Sequence, residues 1–221
     1  MRILVTAGNS QVPIDKVRTG TMIALEFCAF DHQVTLITSS PELIPANHNR
    51  LHVLPYRTFD EFAELMEREI RTGLYDAVVH SAAVSDYRPT GNVFVPCDAM
   101  KALGIALPEG FALVEGVPSG AKISSSHPTL LIETVKTIKI IDKIHEWGFK
   151  GFLVKFKLQV GITDGELIEI ACNSREQSNA DLVIANCLEW SGERAYVIGR
   201  DNIAHAVPHS EIAGVILRKM Q

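Results

Sequence analysis

The chain has no apolar run long enough to cross a bilayer: its longest are strand-sized, far short of the ~20 residues a spanning helix needs. It also lacks positive charge in excess. With 21 Lys and Arg against 26 Asp and Glu, the formal net charge is -5. No long basic run offsets that balance, so neither a nucleic-acid nor a membrane partner is expected. Cysteine is scarce. The four residues, Cys28, Cys97, Cys172 and Cys187, have no C-x-x-C spacing and lie mostly in apolar segments. Reduced, buried thiols in a cytoplasmic protein are the expectation. His48-x-x-x-His52 and His205-x-x-x-His209 have a ligand-like spacing, but both fall in loop or strand contexts and Pro208 opposes a helix across the second pair. They read as surface or capping histidines, and no protein metal site is expected. Repeats and low-complexity linkers are missing too. Met1 to Thr6 is too short for a signal peptide and reads as a first strand. The 221 residues suit a single domain, 1–221, that buries about 70% of its unfolded surface.

What the chain does have is an alternation of strand-like and helix-like segments. Ile3 to Thr6, Val34 to Ile37, Leu51 to Leu54 and Ala77 to Val79 read as strands. The spacing of Met22, Ile23, Leu25, Phe27 and Phe30 predicts a helix from Gly20 to Phe30, after an irregular polar loop at Pro13 to Arg18. Thr58 with Glu61 forms a capping box for a second helix, whose face of Phe59, Phe62, Leu65, Met66 and Ile70 packs on the sheet before Gly73 ends it. The β-α-β-β-α-β order argues for an α/β fold: a doubly wound, mainly parallel, Rossmann-like sheet. Gly91 to Gly120 lacks periodicity and reads as a surface excursion. Ala121 to Ser125 and Leu130 to Thr134 look like two short antiparallel strands. Lys139 to Trp147 is helical, and Phe152 to Phe156 is another buried strand. Thr163 with Glu166 opens a further helix to about Asn179. Leu182 to Ala185 is the last core strand. Ala195 to Ile198 and Ile203 to Val207 suggest a hairpin, and Ser210 caps a closing helix.

The stretch Ala77-Val78-Val79-His80-Ser81-Ala82-Ala83-Val84-Ser85-Asp86 is the candidate site. It begins as a strand buried on both faces, then turns small and polar where the strand ends. In open α/β sheets, ligands bind at the carboxyl ends of strands, and Ser81, Ala82 and Ala83 would let a ligand lie on the backbone. A tight turn that merely needs small residues is the competing reading. A nicotinamide-dependent reductase fits poorly. Only Gly8 follows the first strand, without a G-x-G-x-x-G turn, Thr38-Ser39 ends the second without an acidic residue, and no tyrosine has a lysine at Tyr-x-x-x-Lys spacing.

Five segments in order resemble the phosphopantothenate–cysteine ligases, of the stand-alone bacterial type. They are Ile3 to Gly8 with Pro13 to Arg18, Ser81 to Tyr87, Ala121 to Ser125, Val154 to Leu158, and Ala180 to Asn186. The resemblance implies a ligase that joins 4'-phosphopantothenate to L-cysteine in coenzyme A biosynthesis. A nucleoside triphosphate, CTP in preference to ATP, activates the carboxylate with Mg²⁺ as an acyl-nucleotide, and the cysteine amine then attacks. Such chemistry needs placement and charge stabilisation more than covalent help. By resemblance, Asp86 and Lys122 are catalytic. Gly8, Ser81, Ala82, Asp86, Lys122, Ile138 and Phe156 bind the nucleotide, while Ala82, Ala83 and Arg18 bind substrate. A homodimer is implied, with the Gly91 to Gly120 excursion in its contact.

Several positions depart from the family pattern: Asn9 and Lys155 for glycines, Ile138 for a proline, Cys187 for an aspartate, and Ser174 and Ser178 for lysines. Between Arg18 and Thr19 a family loop of roughly ten residues, carrying an asparagine, has no counterpart. The two readings are a true deletion, which favours a catalytically degenerate nucleotide-binding homologue, and a loop missing from the sequence as given. The second is the expectation, because a deletion would force Arg18 into the helix start.

Overall fold

The parallel strands carry unbroken apolar runs because helices cover both of their faces. In the computed structural model, which describes residues 1–8, 15–45, 49–94 and 131–221, these strands are β1 (Arg2–Ala7), β2 (Gln33–Thr38), β3 (Leu51–Pro55), β4 (Ala77–His80), β7 (Phe152–Gln159) and β8 (Leu182–Cys187). They lie side by side in the order β3-β2-β1-β4-β7-β8, all parallel. The hairpin β9 (Arg194–Ile198) and β10 (Ala204–Pro208) completes the sheet antiparallel to β8. The chain runs outward from β1 to β3, then crosses back to β4 on the other side of β1. That reversal opens a crevice at the carboxyl ends of β1 and β4, where doubly wound sheets take their ligands.

Strand alternation divides the side chains between two layers. Ile3, Val5, Ala77, Val79, Leu182 and Ile184 pack with α1 (Asp15–Ala29) and α5 (Ile212–Met220) on one face. Leu4, Val78 and Leu153 pack on the other with Phe62, Met66 and Ile70 of α2 (Phe59–Thr72) and with Ile140 of α3 (Ile140–Lys143). On that same face Val183 and Ala185 meet Leu167 and Ala171 of α4 (Asp164–Gln177). Both capping boxes form. Glu61 N donates to Thr58 Oγ1 at 3.2 Å and Thr58 N to Glu61 Oε2 at 3.1 Å, with the same reciprocal pair at Thr163 and Glu166. Gly20 is required where α1 crosses β1, since a Cβ there would meet Thr6 O at 2.8 Å.

The described residues form two compact units, Met1–Val84 with Lys139–Gln221, and Ser85–Ile138. In the second, β5 (Tyr87–Phe94) pairs antiparallel with β6 (Leu131–Lys136). Thr137 N donates to Asp86 O at 2.9 Å and closes the ribbon's base.

Three expectations are corrected. The segment Pro13 to Arg18 is not all loop: α1 begins at Asp15 and runs through Arg18-Thr19 without a break. The expected strand at Leu130 to Thr134 is found as β6, paired with β5, while Ala121 to Ser125 lies outside the described residues. Lys139 to Trp147 contains only one regular turn, Ile140–Lys143, because Gly148 at positive φ ends the segment soon after. Ser210 does not cap α5. It sits inside a 3-10 turn, His209–Glu211, and Glu211 precedes the helix without a side-chain cap.

Candidate functional site

The loop after β4 owes its position to β1. Ala82 N donates to Thr6 Oγ1 at 3.1 Å and Ala83 N donates to Gly8 O at 2.9 Å. Two consecutive amides are thus spent on the scaffold and are not available as donors to a ligand. What the loop offers is its small size: Ser81, Ala82 and Ala83 form one wall of a cavity of about 270 Å³. Strand β7 supplies the opposite wall through Phe156 and Leu158, and Asn186 at the end of β8 adds an amide. Thr19 and Met22 of α1 close a side. The far end is built by Ser191, Gly192 and His209, from the segments flanking β9 and β10. His209 Nε2 lies 3.1 Å from Thr19 Oγ1, across 190 positions of sequence.

Among the described residues, those lining this cavity include no lysine, arginine, aspartate or glutamate. These described walls are apolar with polar edges, an environment that suits a flat or small polar group.

The alternation of β7 explains a departure noted in the sequence. Phe156 faces the cavity, so Lys155 must face the other side. There it is buried, and its ammonium donates to Ser174 O at 2.8 Å and Ser178 Oγ at 3.0 Å on α4. Burial, with a smaller contribution from neighbouring lysines, lowers its pKa to about 8 despite Asp142 nearby. Ser174 and Ser178 therefore anchor a lysine from the strand. Cys187 likewise turns from the cavity, and its thiol lies 3.7 Å from Ile162 O in the α4 layer.

Of the residues named from the sequence, the structure brings Ser81, Ala82, Ala83 and Phe156 together on the cavity. Gly8 is not on its lining. At φ +119° it passes under Ser39 and Tyr56, where a Cβ would come within 2.3 Å of Ser39 Oγ. Asp86 and Ile138 belong to the second unit. Lys122 lies outside the described residues, as does the side chain of Arg18. Sequence reasoning missed Thr19, Asn186 and His209 as lining groups. Asn186 was legible as the end of a core strand. His209 gave no local signal, since only the tertiary path of the hairpin brings it to α1.

The fold and site define a Rossmann-like α/β protein with a ligand cavity at the carboxyl edge of its sheet. Residues 1–93 match the family model described as DNA/pantothenate metabolism flavoprotein C-terminal domain. A curated relative, the coenzyme A biosynthesis bifunctional protein CoaBC of Thermococcus kodakarensis, is 32% identical over 212 residues, which are 90% of this chain and 45% of that protein. The chain thus spans about half the length of the curated relative it matches. Among solved structures, the DNA/pantothenate metabolism flavoprotein from Streptococcus pneumoniae superposes with a TM-score of 0.81 at 29% identity, covering 100% of this chain and 98% of that one. The C-terminal domain of a CoaBC protein shares the fold at TM-score 0.65 and 20% identity, over 99% and 92% of the two chains. A Cab2 variant in complex with phosphopantothenate-cysteine shares it at TM-score 0.68 and 16% identity, over 99% and 86%. The family model and the Thermococcus relative bear out the resemblance to proteins of coenzyme A biosynthesis, and the solved structures bear out the fold.

Proposed function

We propose that this chain is a ligase that joins 4'-phosphopantothenate to L-cysteine in coenzyme A biosynthesis. The observation that carries the reading is the cavity walled by Ser81, Ala82, Ala83 and Phe156, built on the segments whose order resembles that family. In the proposed reaction the pantothenate carboxylate attacks the α-phosphorus of CTP, used in preference to ATP, and pyrophosphate leaves. The cysteine amine then attacks the acyl carbon and the nucleoside monophosphate leaves. The uncharged cavity suits the base and ribose, with Phe156 beside the base. The triphosphate charge falls to Lys122 first, while Asp86 contacts the nucleotide. No three His, Cys, Asp or Glu side chains lie together as a metal site among the described residues, so a Mg²⁺ would depend largely on phosphate oxygens.

The second reading is a catalytically degenerate nucleotide-binding homologue, because the sequence has no counterpart of the family's asparagine-bearing loop between Arg18 and Thr19. Incubation with phosphopantothenate, cysteine and CTP or ATP separates the readings. Pyrophosphate released only with both substrates supports the ligase, nucleotide binding without turnover supports the degenerate homologue, and NADPH binding would point to a reductase. A homodimer is part of the proposal, and the exposed Tyr87 and Ile132 on the β5–β6 ribbon are the surface offered for it. A monomer by light scattering would count against that part.

A further inference from the structure

Three polar side chains stand in a row on one face of the sheet. Thr6 of β1, His80 of β4 and Lys155 of β7 occupy directly registered positions on adjacent strands. All three are buried, Thr6 completely. Phe62 of α2 stacks on the His80 ring at 5.9 Å between centroids. The polar row has one outlet toward the cavity. Thr6 Oγ1 lies 3.0 Å from His80 Nδ1 and accepts from Ala82 N at 3.1 Å.

We infer that Thr6 and His80 are positioning residues, a two-link hydrogen-bond chain that fixes the Ser81–Ala83 wall of the ligand cavity. The inference rests on the site reading of that cavity, and its direction follows from proton bookkeeping. The hydroxyl of Thr6 has one hydrogen. Its oxygen already accepts from the Ala82 amide, and the only other partner within reach among the described residues is His80 Nδ1. If Nδ1 carried the ring proton, the hydroxyl hydrogen of a fully buried threonine would have no acceptor, which is costly. The hydroxyl therefore donates to Nδ1, and His80 is neutral with its proton on Nε2. The surroundings agree. Burial, and then the ammonium of Lys155, hold the His80 pKa down to about 4. The charged groups facing the pair from neighbouring elements are Lys155 on β7, with Asp142 and Lys139 near that lysine. Thr6 thus acts on Ala82, which touches the ligand space, while neither Thr6 nor His80 lines that space itself.

The test combines three readouts on the full chain. Long-range ¹H–¹⁵N spectra of wild-type protein at neutral pH should show His80 protonated at Nε2 only. Thr6→Val keeps the shape and removes the hydroxyl. It should speed exchange of the Ala82 amide about tenfold, the scale of one lost hydrogen bond, with Val78 and Val79 changed far less. It should also weaken Mg·CTP binding about tenfold, whereas Thr6→Ser keeps both bonds and restores each readout. His80 protonated at Nδ1, or an Ala82 amide in Thr6→Val that exchanges as in wild type, overturns the inference. So does Mg·CTP affinity unchanged in Thr6→Val. Should Thr6→Val fail to fold, the wild-type imidazole signature and Thr6→Ser still decide. If wild-type protein binds no nucleotide, the ligase reading falls, and the imidazole and exchange results continue to judge the positioning chain.

Discussion

Replacing Lys155 by methionine should stabilise the protein at neutral pH, and the advantage should shrink as the pH rises. The lysine is 7% exposed and has no carboxylate partner within salt-bridge distance among the described residues. Its pKa falls from 10.5 in the ordinary case to about 8 in the native protein. Between those values the unfolded chain keeps a proton that the native protein has lost, so stability rises with pH through that window. The difference in pKa corresponds to about 3 kcal/mol over the full interval. Methionine fills most of the same volume and carries no charge. Nor does it orphan the Ser178 hydroxyl, whose one hydrogen can go to Ser174 O at 3.1 Å or to Arg175 O at 3.2 Å. After allowing for the lost ammonium hydrogen bonds, Lys155→Met should gain about 1–2 kcal/mol at pH 7. Urea unfolding of both proteins at several pH values from 7 to 10 measures this directly. A stability difference that stays constant across that range, or a variant less stable at pH 7, would refute the buried-charge argument.

Other outcomes follow from the site. Phe156→Ala should weaken nucleotide binding by about 1–3 kcal/mol, the worth of one stacking contact, as read by calorimetric titration with Mg·CTP. Unchanged affinity would take the aromatic out of base binding. Lys122→Ala should slow the activation step by about 2–4 kcal/mol in single-turnover pyrophosphate release, and unaltered release would remove Lys122 from the triphosphate. Ala83→Leu, which places a branched side chain into the cavity, should abolish saturable nucleotide binding while the far-ultraviolet circular dichroism stays native.

Most of the architecture was legible because it follows from local rules. Continuous apolar runs marked β4, β7 and β8 as doubly covered strands, and the reciprocal Thr–Glu pairs at Thr58 and Thr163 marked two helix starts. The small residues after β4 lie on the cavity wall. What escaped was decided by tertiary packing. Gly8 stands off the cavity lining, with Ser39 and Tyr56 beside it. The Ala82 and Ala83 amides, attractive as donors, are consumed by Thr6 and Gly8. His209 reaches Thr19 only through the hairpin's return path. Whether Lys155 faced the cavity depended on the strand's phase, which Phe156 fixes.

The most direct test of the ligase reading is the product itself. Purified protein is incubated with 4'-phosphopantothenate, L-cysteine, CTP and Mg²⁺, and the mixture is analysed by mass spectrometry. Phosphopantothenoylcysteine should accumulate in step with cytidine monophosphate, and neither should form without the chain. Nucleotide binding with no such product would contradict the ligase reading and leave a cavity that holds ligand without joining it.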